Sequence, residues 1–242
     1  MPLTYKSLEW DSAFFGFSVA KIIVTTDDDL VSLEDTLDEL RLNGYRMVVL
    51  HCPNHLKLID NVLDKNDGNL VDTKVTYAKN IFSQTSEINK SPYVTQPYLE
   101  QEPSLDLVSL ALQSSYYSRF RRDPLFPPTL CDKLYTCWIE RSVKKEIASQ
   151  VLVVERENHL LGMVTMAEKD NFGDIGLIAA MENMRGKGIG SLLLSSAEAY
   201  FLEKGLTRVK VVTQEINKAA CNLYRRNGYN VDFVEKIFHF WL

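Results

Sequence analysis

Arg185-Gly186-Lys187-Gly188-Ile189-Gly190 is the stretch around which the rest of the chain can be read. It follows a β-prone run, Ile175–Ala180, and opens a helix with an apolar stripe at Ile189, Leu193, Ala197 and Tyr200. Glycines at a strand-to-helix junction let successive backbone N–H groups turn toward a ligand, and the helix N-terminus adds partial positive charge, so a diphosphate suits this turn. The pattern is not a G-x-x-x-x-G-K-S/T loop, and its G-x-G-x-G spacing departs from the G-x-G-x-x-G of dinucleotide folds. The plain alternative is a tight turn that holds no ligand.

Downstream, the helix should run to about Lys204 and stop at Gly205, followed by a strand Arg208–Thr213, a short helix from Asn217 to Asn227 and a last strand near Asn230–Trp241. Upstream, Val151–Val154, Leu161–Met166 and Ile175–Ala180 are β-prone runs separated by Asn158-His159 and Asn171-Phe172-Gly173-Asp174, the pattern of an antiparallel meander. Leu105, Val108, Leu112 and Tyr116 predict one amphipathic helix, and Leu134, Trp138 and Ile139 another. Gln84 to Pro103 is polar and broken by Pro92, Pro97 and Pro103, so it reads as a linker. Before it, Ser18–Val24 and Met47–Leu50 are β-prone, separated by Leu30, Leu33, Leu37 and Leu40 at helical spacing and by Gly44. A further helix is expected from about Leu56 to Lys65, and a turn at Asp67-Gly68 leads into an alternating strand, Leu70 to Phe82. The expected organisation is a small α/β domain over 1–83, a linker over 84–103 and a mixed α+β domain over 104–242.

Composition narrows the functional class. The 242 residues are 45% hydrophobic and 24% charged, which excludes disordered, collagenous and membrane-spanning chains. Lys plus Arg number 27 against 32 for Asp plus Glu, a formal charge of −5, so nucleic acid is not an expected partner and any anionic ligand must be held locally. Cys52, Cys131, Cys137 and Cys221 form no C-x-x-C pair and no disulfide framework, and the N-terminus lacks an apolar signal core. The expectation is a cytoplasmic protein without membrane contact. His51 and His55 flank Pro53 without an H-E-x-x-H pattern, so no metal is expected.

Ile178-Ala179-Ala180, Arg185-x-x-Gly188-x-Gly190 and then Asn217-x-x-Ala220-x-x-Leu223-Tyr224-x-x-x-Gly228-Tyr229 resemble the coenzyme A signature of the GNAT acetyltransferase superfamily, from about Ser104 to the C-terminus. The resemblance implies the GNAT fold, a mostly antiparallel central sheet flanked by helices, and acetyl-CoA as cosubstrate. It places the pantetheine arm on Ile178, Ala179 and Ala180 and the pyrophosphate on Arg185, Gly186, Lys187, Gly188, Ile189, Gly190 and Ser191. Glu182 stands where the family usually has proline. Asn217 reads by itself as an N-cap, and the resemblance adds contact with the coenzyme. Tyr224, seven residues on, shares its face, and alone would read as a packed aromatic. Amine attack on a thioester expels a thiolate, however, and a phenol with a pKa of about 10 is a ready proton donor, the role the resemblance gives Tyr224. Cys221 has no His–Asp partner pattern, which favours direct transfer in a ternary complex.

A narrower resemblance covers nearly the whole chain. Leu8-Glu9-Trp10-Asp11-Ser12-Ala13-Phe14-Phe15-Gly16, Tyr117-Ser118-Arg119-Phe120-Arg121, Trp138-Ile139-Glu140, Ile175-Gly176-Leu177 and Val212-Thr213-Gln214 are similar to family members that acetylate a nucleotide-linked amino sugar of the dTDP-4-amino-4,6-dideoxyhexose type for surface polysaccharide. Arg119 and Arg121, beside Arg122, suit phosphate oxygens, against the alternative of a solvated basic face. Phe15 offers a stacking surface or a core position. Asp72 falls where those relatives carry a glutamate working through ordered water, and is the candidate base; a surface carboxylate is the alternative. Peptide α-amines, polyamines and other small amines stay open as acceptors, as do a non-catalytic coenzyme A sensor and a homodimer.

Overall fold

The computed structural model describes residues 3–56, 60–82 and 91–242. In chain order its regular elements are β1 (Tyr5–Ser7), α1 (Glu9–Phe15), β2 (Val19–Ile23), α2 (Asp27–Val31), α3 (Leu33–Leu42), β3 (Met47–Pro53), α4 (Asp60–Lys65), β4 (Gly68–Asn80) and β5 (Thr95–Pro97). There follow α5 (Leu105–Ser114), α6 (Arg119–Arg122), α7 (Pro128–Val143), β6 (Gln150–Arg156), β7 (His159–Lys169), β8 (Phe172–Ala180), α8 (Ile189–Glu203), β9 (Arg208–Gln214), α9 (Lys218–Arg226) and β10 (Asn230–Trp241). They form two compact units: Met1–Val75 with Arg122–Phe126 and Val234–Leu242, and Thr76–Arg121 with Pro127–Phe233.

In the first unit the strand order is β1-β2-β3-β10-β4. β2 and β3 are parallel, from Val19↔Met47 to Ile23↔His51, so the chain between them must cross over, and α3 does so. Leu33, Leu37 and Leu40 bury one side of that helix against Ala20, Ile22, Val48, Leu50 and Phe240. Thr26 caps α2 through a capping box with Asp29, and the helical pattern from Leu30 to Leu40 breaks at Ser32 into two helices. β3 and β10 are antiparallel, Met47↔Trp241 to Pro53↔Glu235. Two polar groups, one partly and one fully buried, tie this unit together. His51 Nδ1 donates to Glu235 Oε2 at 2.8 Å, and Lys74 Nζ donates to Glu235 Oε1 at 2.8 Å. Asp123 Oδ2 accepts from His239 Nδ1 at 2.7 Å and from Trp241 Nε1 at 2.9 Å, which fastens Arg122–Phe126 to β10.

In the second unit the order is β10-β4-β9-β8-β7-β6-β5. β6, β7 and β8 form the expected meander, and β9 runs parallel to β8. α5 and α7 cover one core through Leu107, Leu110, Ala111 and Ile139 against Val151, Val153 and Met163. α8 packs on β7 and β8, with Ile189, Leu193, Ala197 and Phe201 buried; Tyr200, expected in this stripe, is only partly buried.

Several boundaries differ from the sequence expectations. The helix beginning at Leu105 ends at Ser114, leaving Tyr116 outside and exposed. Of the stretch read as a linker, residues 84–90 lie outside the described residues, while Thr95–Pro97 pairs with Val154–Leu152 of β6; Pro97 sits at the strand's end, where a missing N–H is tolerated. Residues 57–59 of the helix expected from Leu56 also lie outside the described residues. The two units do not follow the linear division into 1–83 and 104–242, because Val234–Leu242 pairs with β3 and Arg122–Phe126 is held by Asp123. All four cysteines are free thiols, and among the described residues no helix is long and apolar enough to cross a membrane.

Candidate active site

The coenzyme-signature residues and Tyr224 lie in the second unit, on three elements: the end of β8, the turn into α8, and α9. β8 pairs with β7 from Lys169↔Phe172 to Gly162↔Ala180, but with β9 only at Gly173, Asp174 and Ile175. Beyond Ile175 the parallel pairing stops among the described residues. The β9-side backbone edge of Ile178, Ala179 and Ala180 is therefore not used by a strand ladder, which suits it to an extended amide-bearing ligand.

A bulge sets this edge. Val164 pairs with Ile178 and Met166 with Ile175, so Thr165 alone faces Gly176 and Leu177. The buried Thr165 Oγ1 accepts from the Leu177 N–H at 2.8 Å, satisfying a donor that the bulge removes from the ladder. A Cβ on residue 176 would lie 2.8 Å from that same oxygen, so glycine is needed here for close approach.

After β8 a single 3-10 turn, Glu182–Met184, leads into Arg185. Gly186 and Gly188 have φ of 77° and 86°, a left-handed backbone that favours glycine. Gly188 is the N-cap of α8 and makes no side-chain cap bond, so the first-turn amides of Ile189, Gly190 and Ser191 are those a helix leaves without intrahelical partners. Arg185 and Lys187 are exposed beside them. The turn thus combines directed N–H donors, the positive end of a helix dipole and two cations.

On α9, Asn217 is the N-cap, its Oδ1 accepting from the Ala220 N–H at 3.1 Å. Tyr224 is buried, its ring 5.4 Å from Tyr77 and 6.1 Å from Tyr229 between centroids. Burial, with Cys221 and Tyr77 nearby, pushes its phenol well above the ordinary value of 10, so it keeps its proton across the neutral range. The residue is both packed and protonated, so its packing leaves a donor role open to it.

The other predicted residues are placed differently. Arg119 stacks its guanidinium 4.6 Å from the Phe120 ring centroid. Arg121 donates from Nε to Ser115 Oγ at 2.8 Å and is ion-paired with Asp132, so its charge is largely met within the protein. Phe15, in the first unit, packs with Phe14, Phe17 and Phe126 at centroid separations of 5.7, 5.8 and 5.1 Å, a core position. Asp72 is buried on β4 in that same unit. Sequence reasoning missed Thr165 and Asn227. An Asn-Gly pair closing a helix signals the second; nothing local signals the first.

Comparison with known proteins agrees with the geometry. Residues 112–229 match the Acetyltransferase (GNAT) family. The chain is 28% identical over 228 residues to the dTDP-fucosamine acetyltransferase of Escherichia coli O6:H1 (strain CFT073), covering 93% of this chain and 92% of that protein. Its fold resembles a GCN5-related N-acetyltransferase from Sphaerobacter thermophilus, with a TM-score of 0.64 at 16% identity over 97% of this chain and 75% of that one. It also resembles a functionally unknown conserved protein from Staphylococcus epidermidis, with a TM-score of 0.62 at 14% identity over 93% and 84%. The mixed sheet flanked by helices is the GNAT fold, and residues 112–229 carry a GNAT acetyltransferase domain, the domain of an acetyl-CoA-dependent transferase.

Proposed function

We propose that the acceptor is the amino group of a nucleotide-linked amino sugar of the dTDP-4-amino-4,6-dideoxyhexose type. The observation that supports this most is the likeness to a dTDP-fucosamine acetyltransferase, which extends over 93% of the chain and so well beyond the family domain at residues 112–229.

Acetyl-CoA brings the acetyl group as a thioester. The open edge at Ile178, Ala179 and Ala180 takes the pantetheine amides and supplies N–H donors to the carbonyl oxygen as it gains negative charge. The Arg185–Ser191 turn holds the diphosphate, and Asn217 lies at the coenzyme's side of α9. The acceptor ammonium loses one proton through water to Asp72. The free amine then attacks the carbonyl carbon: an N–C bond forms, the C–S bond breaks and the Tyr224 proton passes to the leaving sulfur. The second nitrogen proton, released as the amide forms, restores Tyr224. Placement of both substrates in one ternary complex supplies the rest of the acceleration. Residues 1–83 contribute to the acceptor site. Arg119 binds the acceptor's phosphates, while Arg121, balanced by Asp132, orients α6.

The test is thiol release from acetyl-CoA across dTDP- and UDP-linked 4-amino and 3-amino sugars, peptides and polyamines. Turnover with the dTDP-4-amino sugar is expected; turnover with peptides or polyamines but with no sugar nucleotide rejects the acceptor class. Asp72→Asn should lower turnover and shift the acidic limb of the pH–rate profile, and an unaltered profile removes Asp72 from the reaction.

A further inference from the structure

Asn227, which closes α9, joins the two segments on which the proposed reaction depends. One Nδ2 hydrogen goes to Leu223 O at 2.7 Å and the other to Ser191 Oγ in the first turn of α8 at 3.1 Å, so both donors of the amide are used. Its backbone N–H reaches Leu223 O and Tyr224 O, each at 3.1 Å, and the Tyr229 N–H also donates to Tyr224 O at 3.0 Å. The carbonyl of Tyr224 is therefore held by the same residue whose side chain grips Ser191. A steric contact runs alongside: a Cβ on Gly190 would lie 2.9 Å from Leu223 Cδ2, so the residue before Tyr224 rests directly on the turn. A hydroxyl that accepts from Asn227 still has its own proton to give, and at the start of α8 an anion is the natural acceptor.

We infer that Asn227 is a positioning residue that links the seating of an anionic diphosphate at residues 185–191 to the placement of Tyr224. This rests on the coenzyme turn and the donor role assigned above. A bound diphosphate that takes the Ser191 proton fixes the hydroxyl rotor. The fixed hydroxyl strengthens the bond from Asn227, and Asn227 in turn restrains the last turn of α9. The tyrosine is then held more firmly when the cosubstrate is bound. An ordinary helix cap would need the Leu223 and Tyr224 carbonyls but would have no use for Ser191.

Hydrogen exchange of the full chain, with and without saturating coenzyme A, tests this without needing an acceptor. In the wild type, exchange should slow both at residues 185–191 and at amides 224–229. In Asn227→Ala, which keeps the backbone caps, and in Ser191→Ala, the turn should still be protected while the slowing at 224–229 disappears; Ser191→Thr, which keeps the hydroxyl, should restore it. Calorimetry should show coenzyme A binding weakened about three- to tenfold by Asn227→Ala, at least as much by Ser191→Ala, which also loses the hydroxyl's bond to the diphosphate, and no further by the pair than by Ser191→Ala alone. Unchanged protection at 224–229 in Asn227→Ala, or multiplying affinity losses in the double variant, overturns the inference and leaves the coenzyme site standing. Failure of coenzyme A to protect residues 185–191 in the wild type overturns both.

Discussion

Thr165→Val asks whether one side-chain hydroxyl sets the open edge of β8. The substitution keeps the branched shape and removes the oxygen that accepts the Leu177 N–H, a bond of 2.8 Å at a residue 3% exposed. A buried donor left without its partner costs about 1–3 kcal/mol. For a chain of this size each kcal/mol lowers the melting temperature by about 2–4 °C, so a fall of about 2–12 °C is expected. Leu177 immediately precedes Ile178, and relaxing the bulge turns the backbone that is to meet the pantetheine arm. Coenzyme A binding measured by titration calorimetry should therefore weaken by about three- to tenfold, where tenfold is about 1.4 kcal/mol. Thr165→Ser, which keeps the oxygen, should remain close to wild type in both measurements. A valine variant that melts and binds like wild type, or a serine variant as impaired as the valine one, refutes the role given to this bond.

Tyr224→Phe should lower turnover by about a hundredfold or more while changing the KM for acetyl-CoA less than about threefold, since only a transition-state proton is lost. Because burial raises the Tyr224 phenol above 10, this group should cause no alkaline loss of kcat below about pH 10; a limb at pH 8–9 that vanishes in the Phe variant contradicts the assignment. For Glu235, burial raises the carboxyl, but hydrogen bonds from His51 and Lys74 and their charges outweigh it and bring it from the ordinary 4.5 to about 2. Its folded-state value is depressed, so its contribution is present above about pH 4.5 and is lost as pH falls toward about 2. The shift corresponds to about 3 kcal/mol. Denaturant titrations of Glu235→Gln from pH 6 to 2 should give a flatter pH dependence than wild type, and parallel curves would remove this pair from acid unfolding.

What the sequence disclosed depended on how local the cause was. Glycines at 186 and 188 permit a left-handed turn wherever they stand, and the seven-residue step from Asn217 to Tyr224 sets a shared helix face, so the local geometry of the turn and of α9 was legible. Strand neighbours were not. β10 pairs with β3 across some 190 residues of sequence, and nothing in Val234–Leu242 names that partner. Thr95–Pro97 reads as polar and proline-broken, yet a single edge pairing with β6 suffices to make it a strand. Phe15 carried an ambiguity that composition could not settle; contact with Phe126, over a hundred residues away, makes it core. Thr165 and Asn227 act through single hydrogen bonds to Leu177 and Ser191, visible only when the chain is folded.

The acceptor class is tested most directly by incubating the full chain with acetyl-CoA and a dTDP-linked 4-amino-4,6-dideoxyhexose, then following free thiol and product mass together. One thiol should be released for each sugar nucleotide gaining one acetyl group, with Tyr224→Phe nearly silent under the same conditions. Thiol release without an acetylated sugar nucleotide, or equal turnover by the Phe variant, would contradict the proposed acceptor or the proposed proton donor respectively.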